Sequence, residues 1–369
     1  MKKIGLYTIH AANNYGAMLQ AYATIKTLTS QGFNAEIFNY YPLDYEQKKE
    51  YKILNRSLKG FLNFIYCKFS NKIKQRFSRF NEFHNEMNLS DRVFSLDEVY
   101  ANPPKYDVNI VGSDQVWNLQ KGFAERNFFF LDFLSLNSRK MSYASSFGTK
   151  SIDEKHSEKL KNLLEKFDTL SVREDDGVQI IKESTGIDAK HVLDPTFLLN
   201  ADEWRGVGGE EPLIKESYIL YYGFSSSKET AEIVKSFSEK LNLPVISVSG
   251  GIHFPFKVKR FYLEAGPKEF INLVENAKLV LTGSFHGLAF AINFSKDFYL
   301  VENSTRSSRM LSALRVFDLE DRVILTKDEV KNIDRSKIVI DYKKISLILE
   351  TKRNESKDWL KESVLNLLK

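Results

Sequence analysis

Residues 3–40 read KIGLYTIHAANNYGAMLQAYATIKTLTSQGFNAEIFNY. Lys3 to Ile9 is a short, mostly apolar run that gives way to the loop AANNYG. Apolar residues then recur at helical spacing from about Ala17 to Ser30, and Gly32 ends the pattern. Ala35 to Tyr40 reads as a second strand. Strand, loop, helix, strand in so short a stretch is the opening of a parallel, doubly wound sheet, because parallel neighbours need a crossover between them.

The same grammar recurs downstream. Asp107 to Val111 reads as a strand running into GSDQVW, and Lys140 to Ala144 as one running into SSFG. Thr169 to Val172 and His191 to Leu193 follow, with helical stretches between. After DPTFLLN and the glycine-rich GVGGEEP the pattern restarts. Strands at Ser217 to Tyr222, Val245 to Val248, Lys278 to Thr282 and Phe298 to Val301 alternate with helices at Lys228 to Leu241, Lys268 to Asn276, His286 to Asn293 and Ser307 to Val316. The expected fold class is α/β, with two Rossmann-like doubly wound domains facing a cleft. The N-terminal domain spans 1–205 and carries a basic helical insertion at about 48–88. The C-terminal domain spans 206–340. A helical tail at 341–369, apolar at Val364, Leu365, Leu367 and Leu368, packs back. Ligands in such sheets sit beyond the carboxyl ends of the strands.

Composition narrows the function classes. The 369 residues are 43% hydrophobic and 27% charged, an ordinary globular mix. A net charge of +5 over this length does not mark a nucleic-acid partner. Cys67 is the single cysteine, so no disulfide forms within the chain, which fits a reducing compartment. Thr8, His10, Asn13 and Asn14 interrupt the first apolar run, unlike a signal peptide, and no stretch approaches the ~20 apolar residues of a membrane span. A cytoplasmic protein is expected. The six histidines are scattered without metal-ligand spacing. Neither a GxxxxGK[ST] phosphate loop nor a well-placed GxGxxG is present, so triphosphate hydrolysis and dinucleotide redox chemistry lack support. Residues 48–80, KKEYKILNRSLKGFLNFIYCKFSNKIKQRFSRF, interleave lysines and arginines with apolar residues, and Glu50 is the one acid. Such a segment is either a solvated helical insertion or a face for anionic lipid, a peripheral contact at the inner side of the membrane.

The candidate chemistry lies at predicted strand ends. LTGSFHGLAFAI (281–292) takes a strand through a small-residue turn into a helix. A helix start offers unpaired N–H groups to an anion, and His286 adds a group that titrates near neutrality. The alternative is a histidine that caps or packs. GSDQVWN (112–118) offers Asp114 and Gln115 to a cleft and the flat face of Trp117 to a sugar, or else is a capped turn with a core tryptophan. In SVRE (171–174), Arg173 can grip a carboxylate or phosphate through two parallel bonds, or can pair with Glu174 or Asp175 at the surface. Asp194 in LDPT orients a neighbour or caps a turn. The first loop offers Asn13, Asn14 and the backbone N–H groups around Gly16, unless it is an ordinary turn.

In order along the chain, HAANNYGAMLQAYA, DVNIVGSDQVWN, MSYASSFG, LSVREDDG, VLDPTFLL, YILYYGF, AKLVLTGSFHGLAFAINF and SSRMLSALRVFDLEDR resemble the polysaccharide pyruvyl transferase family over residues 1 to about 322. The resemblance implies a two-domain architecture similar to GT-B glycosyltransferases. It implies phosphoenolpyruvate as donor substrate, no further cofactor, and a sugar hydroxyl pair as acceptor, with a polyprenyl diphosphate-linked sugar as one form of it. His286 matches the family's leading catalytic candidate, and Arg173 its donor-anion ligand. Ser284, the helix start at Gly287–Leu288 and Arg309 are the further donor-side expectations; Asp114, Gln115 and Asn14 are those for the acceptor. Characterised relatives often carry R-x-H where this chain has Ser284-Phe285-His286, so a donor-binding cation is either missing or supplied by Arg306 or Arg309. Two rival readings stay open: a nucleotide-sugar glycosyltransferase on the same architecture, and a non-catalytic carbohydrate-binding protein.

Overall fold

The computed structural model describes residues 2–40, 70–120, 127–225, 227–248, 258–302 and 308–369. The first half builds β1 (Lys3–Tyr7), α1 (Tyr15–Ser30), β2 (Asn34–Ile37), α2 (Asn71–Asn85), α3 (Leu96–Ala101), β3 (Val108–Val111), β4 (Lys140–Ser142), α4 (Ser157–Leu164), β5 (Ser171–Val172), α5 (Asp175–Thr185) and β6 (Lys190–His191). After α6 (Ala201–Gly208) come β7 (Ile219–Tyr222), α7 (Lys228–Leu241), β8 (Val245–Ser247), β9 (Arg260–Phe261), α8 (Pro267–Glu275), β10 (Leu279–Thr282), α9 (Phe285–Asn293), β11 (Phe298–Leu300), α10 (Ser308–Val316), α11 (Lys327–Asn332) and α12 (Tyr342–Leu367).

Two separate parallel sheets result. The first runs β2-β1-β3-β4, with Ile4 opposite both Ala35 and Val108. The short β5-β6 pair continues it through bridges from Met141 to Thr169 and from Ser145 to Val172. The second runs β11-β10-β7-β8-β9. Both place β1-like central strands with all side chains buried, as sheets covered on both faces require. The strand expected at His191 to Leu193 lies instead at Lys190–His191. Leu193 has left the ladder, and its N–H donates to Ser356 Oγ of α12 at 3.0 Å.

The tail helix α12 ties the halves together. Near its start Tyr342 donates to the Lys296 carbonyl beside the second sheet. Further on, Arg353 donates to the Phe197 carbonyl and to Asn293 Oδ1, and the Lys357 carbonyl accepts from Gln31, which caps the end of α1. Leu360 and Val364 enter a core that contains Ile4 and Leu19 from one half and Leu220 and Phe290 from the other. Leu367 and Leu368 pack against the same core, whereas Leu365 is exposed.

Part of the basic segment, residues 48–69, lies outside the described residues together with Cys67. The described remainder lies in α2, which docks onto the second half through Arg76, Arg79 and its apolar residues. Arg76 is buried over the Tyr15 and Phe80 rings and donates to the Ala265 carbonyl at 3.2 Å. Arg79 donates to the Glu264 carbonyl and pairs with Glu269; Lys72 lies 3.8 Å from Glu264. Arg76 and Arg79 are thereby committed to protein partners, whereas Lys72 and Lys74 remain exposed. Among the described residues, no helix is long and apolar enough to cross a membrane.

Trp117 also departs from the sugar-platform expectation. Its ring is fully buried, stacked on Phe130 and flanked by Phe147 and Phe167, and its Nε1–H donates to the Phe129 carbonyl. Satisfying that one polar atom allows a large aromatic to be core.

The role of α12 gives a direct contrast. Leu360→Ala removes a fully buried side chain and should cost about 2–5 kcal/mol in urea unfolding. Leu347→Ala, at an exposed position of the same helix, should stay within about 0.5 kcal/mol of the parent. Equal effects would mean that α12 does not hold the halves together.

Candidate active site at the facing strand ends

The carboxyl ends of the two sheets meet. From the first sheet, β3 runs into Ser113 and Asp114, β5 into Arg173 and Glu174, and β6 leads to Asp194. From the second, β10 runs through Thr282-Gly283-Ser284 into α9 and His286. Asp194 caps the short turn Pro195–Phe197, accepting at Oδ1 from the Thr196 N–H at 3.0 Å and the Thr196 hydroxyl at 2.7 Å. Its other oxygen accepts from Arg173 Nη1 at 2.7 Å and Ser113 Oγ at 2.9 Å. His286 Nε2 lies 4.0 Å from that same oxygen.

Arg173 is the hub. Its side chain is 0% exposed. Nε donates to Glu174 Oε1 at 3.0 Å, Nη2 lies 3.7 Å from Asp114 Oδ1, and the guanidinium sits over the Phe285 ring. Glu174 is held in turn by the Ser146 hydroxyl. The expectation that Arg173 grips a donor through two parallel bonds therefore needs correction: Nε and Nη1 are already committed to buried carboxylates, and Nη2 remains. The surface pairing with Glu174 is also revised, since the pair exists but is buried. Asp175 instead pairs with His191 at 3.0 Å and with Arg315 of α10 at 3.2 Å, which lower its pKa to about 2.

Burial sets the direction of several pKa values. Burial lowers that of His286, and Arg173 and Arg309 lower it further against the opposing pull of Asp194 and Asp114. The imidazole is thus neutral at neutral pH. Burial raises the Glu174 carboxyl despite Arg173. Burial also pushes Asp194 upward, but Arg173, His286 and the Thr196 bonds outweigh it and hold that carboxyl below its ordinary value. For Arg173 burial works against the charge, and Asp194, Glu174 and Asp114 more than compensate, so it stays ionised.

Three buried nitrogens of this cluster have no hydrogen-bond partner among the described residues: Arg173 Nη2, His286 Nε2 and Arg309 Nε. Arg309 reaches the cluster from α10, which Ser312 and Arg315 fasten to Asp175 at the start of α5. Burial and the neighbouring Arg173 charge lower the Arg309 pKa. With its carbonyl oxygen turned to the cation, the Gln115 amide accepts from Arg309 Nη1 and Nη2 at 2.7 and 3.1 Å. Gln115 thus holds a cation here, where the sequence suggested a contact to sugar. Arg306, the other candidate cation, lies outside the described residues.

The remaining expected residues fall around this cluster. Asp114 has φ 72°, a left-handed backbone that turns the chain at the end of β3, and its carboxylate is partly exposed. Asn14 is exposed and caps α1 through Oδ1 to the Ala17 N–H. Ser284 is the N-cap residue of α9 without a side-chain capping bond, and its own N–H donates to Thr282 Oγ1. Gly287 packs on Thr282 and Tyr222, where a Cβ would come within 2.2 Å of Thr282 Oγ1. The helix begins at Phe285, one residue earlier than expected, so the Leu288 N–H is already bonded to the Ser284 carbonyl at 3.1 Å and is not available to an anion. In this first turn the N–H groups of Phe285, His286 and Gly287 have no acceptor among the described residues. Sequence reading did not assemble Glu174, Asp194 and Ser113 into the site. Asp194 carried a signal, an acid at a strand end, but nothing in the order of residues tied it to Arg173.

The chain resembles the solved structures of the trehalose-6-phosphate synthase OtsA (11% identity, 100% of this chain and 99% of that chain, TM-score 0.51) and of UDP-GlcNAc 2-epimerase from Neisseria meningitidis bound to UDP-GlcNAc (11% identity, 95% and 99%, TM-score 0.50). At that identity the likeness shows the fold, which is the two-domain GT-B architecture. No curated protein matches the chain. The model of the polysaccharide pyruvyl transferase family matches residues 14–305, well over half of the chain and every residue of the cluster except those of α10. The chain belongs to the polysaccharide pyruvyl transferase family, and the protein is a transferase.

Proposed function

We propose that the protein moves the enolpyruvyl unit of phosphoenolpyruvate onto two hydroxyls of one sugar, forming a pyruvate ketal during assembly of a bacterial surface polysaccharide. One observation carries this reading: Arg173 Nη2, His286 Nε2 and Arg309 Nε are buried nitrogens without hydrogen-bond partners among the described residues, gathered where the two sheets face. Buried donors are seldom left unmade, so an anionic ligand is their natural partner.

The chemistry has four parts. The methylene carbon gains a proton and becomes the methyl group. A sugar oxygen bonds to the adjacent cationic carbon and loses its proton. The carbon–oxygen bond to phosphate breaks, and phosphate leaves with the electron pair. The second hydroxyl bonds to the same carbon, loses its proton and closes the ring. His286 is the acid or base for these transfers. Arg309, oriented by Gln115, and the Nη2 edge of Arg173 hold the donor's anionic groups, with the N–H groups of Phe285 to Gly287 and the neighbouring Ser284 at the helix start. Arg173 also positions Asp194, which faces His286 Nε2. Asp114 and Asn14 face the acceptor, a sugar for which a polyprenyl diphosphate carrier is one form.

A thermal-shift titration with phosphoenolpyruvate tests the reading first. At about 100-fold the dissociation constant the donor should add ~2.7 kcal/mol of stability, and Arg309→Ala should lose most of it. Stabilisation by a nucleoside diphosphate and not by phosphoenolpyruvate would move the protein to the glycosyltransferases. His286→Ala should slow turnover on the order of 10²-fold or more with folding intact, and a loss under about tenfold removes it from proton transfer.

The lowered pKa of His286 gives a prediction with a sign. Burial holds the free imidazole's pKa below the ordinary histidine value. A bound dianion favours the charged ring and raises that pKa. Donor binding should therefore take up protons in the window between the free and bound values, and the uptake should vanish well above it. Calorimetry in two buffers of different ionisation enthalpy reads the uptake, and His286→Gln should abolish it. Identical uptake in parent and variant would place the titrating group elsewhere.

A further inference from the structure

Apart from the Arg173 cluster, the second sheet buries an acid of its own at its carboxyl end. Glu302 lies two residues beyond β11 and is 3% exposed. The chain is still paired with β10 there, since the Val301 N–H donates to the Thr282 carbonyl at 3.0 Å. The Glu302 side chain then turns across the ends of the adjacent strands, which follow in the order β11-β10-β7. It passes over Gly283, where a Cβ would overlap Glu302 Cδ and Oε2, and reaches Gly223, where a Cβ would overlap Oε1. Neither position accommodates a side chain while the carboxyl group is there. At its far end Oε1 accepts from the Tyr221 hydroxyl at 2.8 Å and from the N–H groups of Phe224 at 3.0 Å and Ser225 at 3.3 Å. Burial and the neighbouring Glu302 hold the Tyr221 phenol far above its ordinary pKa, so it stays a donor.

Three strand ends thus meet on one side chain, and the middle one carries the candidate acid or base. Gly283 opens the turn that runs through Ser284 and Phe285 to His286. Ser284 makes no side-chain capping bond to α9, so the turn relies on backbone bonds and on what packs against Gly283. The loop after β7 supplies the opposite abutment. Phe224 is 61% exposed, so burial of its ring does little to fix that loop, and the bonds to Glu302 do so instead. The charges that act on the His286 ring are those of Asp194, Asp114, Arg173 and Arg309. Glu302 reaches the ring by another route, through the backbone of residues 283–286.

We propose that Glu302 is a positioning residue of the transfer reaction: braced against Gly223 and its loop, its carboxyl group pins the Gly283 turn and so fixes His286 beside Asp194. This deepens the pyruvyl-transfer reading and rests on it for the reaction that His286 serves.

Two substitutions in the full chain separate the brace from the charge. Glu302→Gln keeps the length of the side chain and an acceptor oxygen for the same three donors. Glu302→Ala removes both. The first readout is the pH titration of the His286 imidazole by nuclear magnetic resonance, its signal being the one of six histidines that His286→Gln removes. Urea unfolding checks that each variant is folded, and turnover of phosphoenolpyruvate is the second readout. Burial lowers the His286 pKa in the parent. Release of the turn in Glu302→Ala should admit water to the ring, move its midpoint up toward the ordinary value of about 6.5, and slow turnover by about tenfold or more. Glu302→Gln should titrate and turn over like the parent. Gly283→Ala leaves the acid in place but sets a methyl group where it lies, and should move the His286 midpoint in the same direction as Glu302→Ala. An unshifted His286 in folded Glu302→Ala overturns the proposal, as does an equal shift in Glu302→Gln. If Glu302→Ala does not fold, an unshifted His286 in Gly283→Ala overturns it instead. A parent that does not turn over phosphoenolpyruvate, with the His286 shifts as expected, leaves the brace standing and fails the donor reading.

Discussion

The buried pair of Arg173 and Asp194 is the constraint on which the site depends. Neither side chain reaches solvent, and taking two such charges out of water costs several kcal/mol per ion unless each remaining bond is made. The structure makes nearly all of them. Asp194 receives Ser113, both donors of Thr196 and Arg173; Arg173 is further compensated by Glu174 and the Phe285 face. Such a network is costly to break at any one point, because removing a partner strands a charge in a low-dielectric interior. It therefore fixes the geometry of β3, β5 and the Asp194 turn together, and presents His286 and Arg309 with a surface that does not rearrange.

That rigidity matters because the site is made by two halves. His286 comes from the second sheet and Asp194 from the first. Their separation depends on how the halves meet, and several contacts set it. Tyr15 of α1 stacks on Phe270 of α8, Arg76 and Arg79 of α2 reach the carbonyls of Ala265 and Glu264, and α12 crosses from one half to the other. The apolar core runs through the seam without a break, since Trp204 of α6 packs between Tyr22 and Phe290. Polar bonds specify the orientation, and burial of apolar surface supplies the stability that holds it.

Much of this was legible in the sequence, for an identifiable reason. Strand and helix periods are local, so the alternation of elements and the restart after Asn200 can be read from spacing alone. The turn into α9 and the candidacy of His286 follow from position at a strand end. Pairing across the fold is not local. Glu174 beside Arg173 looks the same in sequence whether the pair is at the surface or buried, and only the packing of β5 beneath Phe285 decides it. Trp117 reads equally as a sugar platform or as core until Phe130, Phe147 and Phe167 are seen around it. That Arg76 and Arg79 of α2 are already partnered could not be read locally, because the Ala265 and Glu264 carbonyls and Glu269 lie some two hundred residues away in a different half.

The serine at position 284 acquires a physical account in this setting. Where relatives often carry an arginine two residues before the histidine, this chain has a buried residue whose backbone is tied to Thr282 Oγ1, in a turn packed tightly against Glu302 through Gly283. A long cation at 284 would need room between that turn and Tyr222. Arg309 brings a guanidinium to the cluster from a different direction, along α10. Its element belongs to the second half, yet Ser312 and Arg315 bind Asp175 of the first, and Gln115 of the first half receives its guanidinium. A cation at 284 would ride with His286 on one rigid turn. A cation at 309 is positioned by contacts from both halves, so the charge at the candidate site depends on how the halves meet.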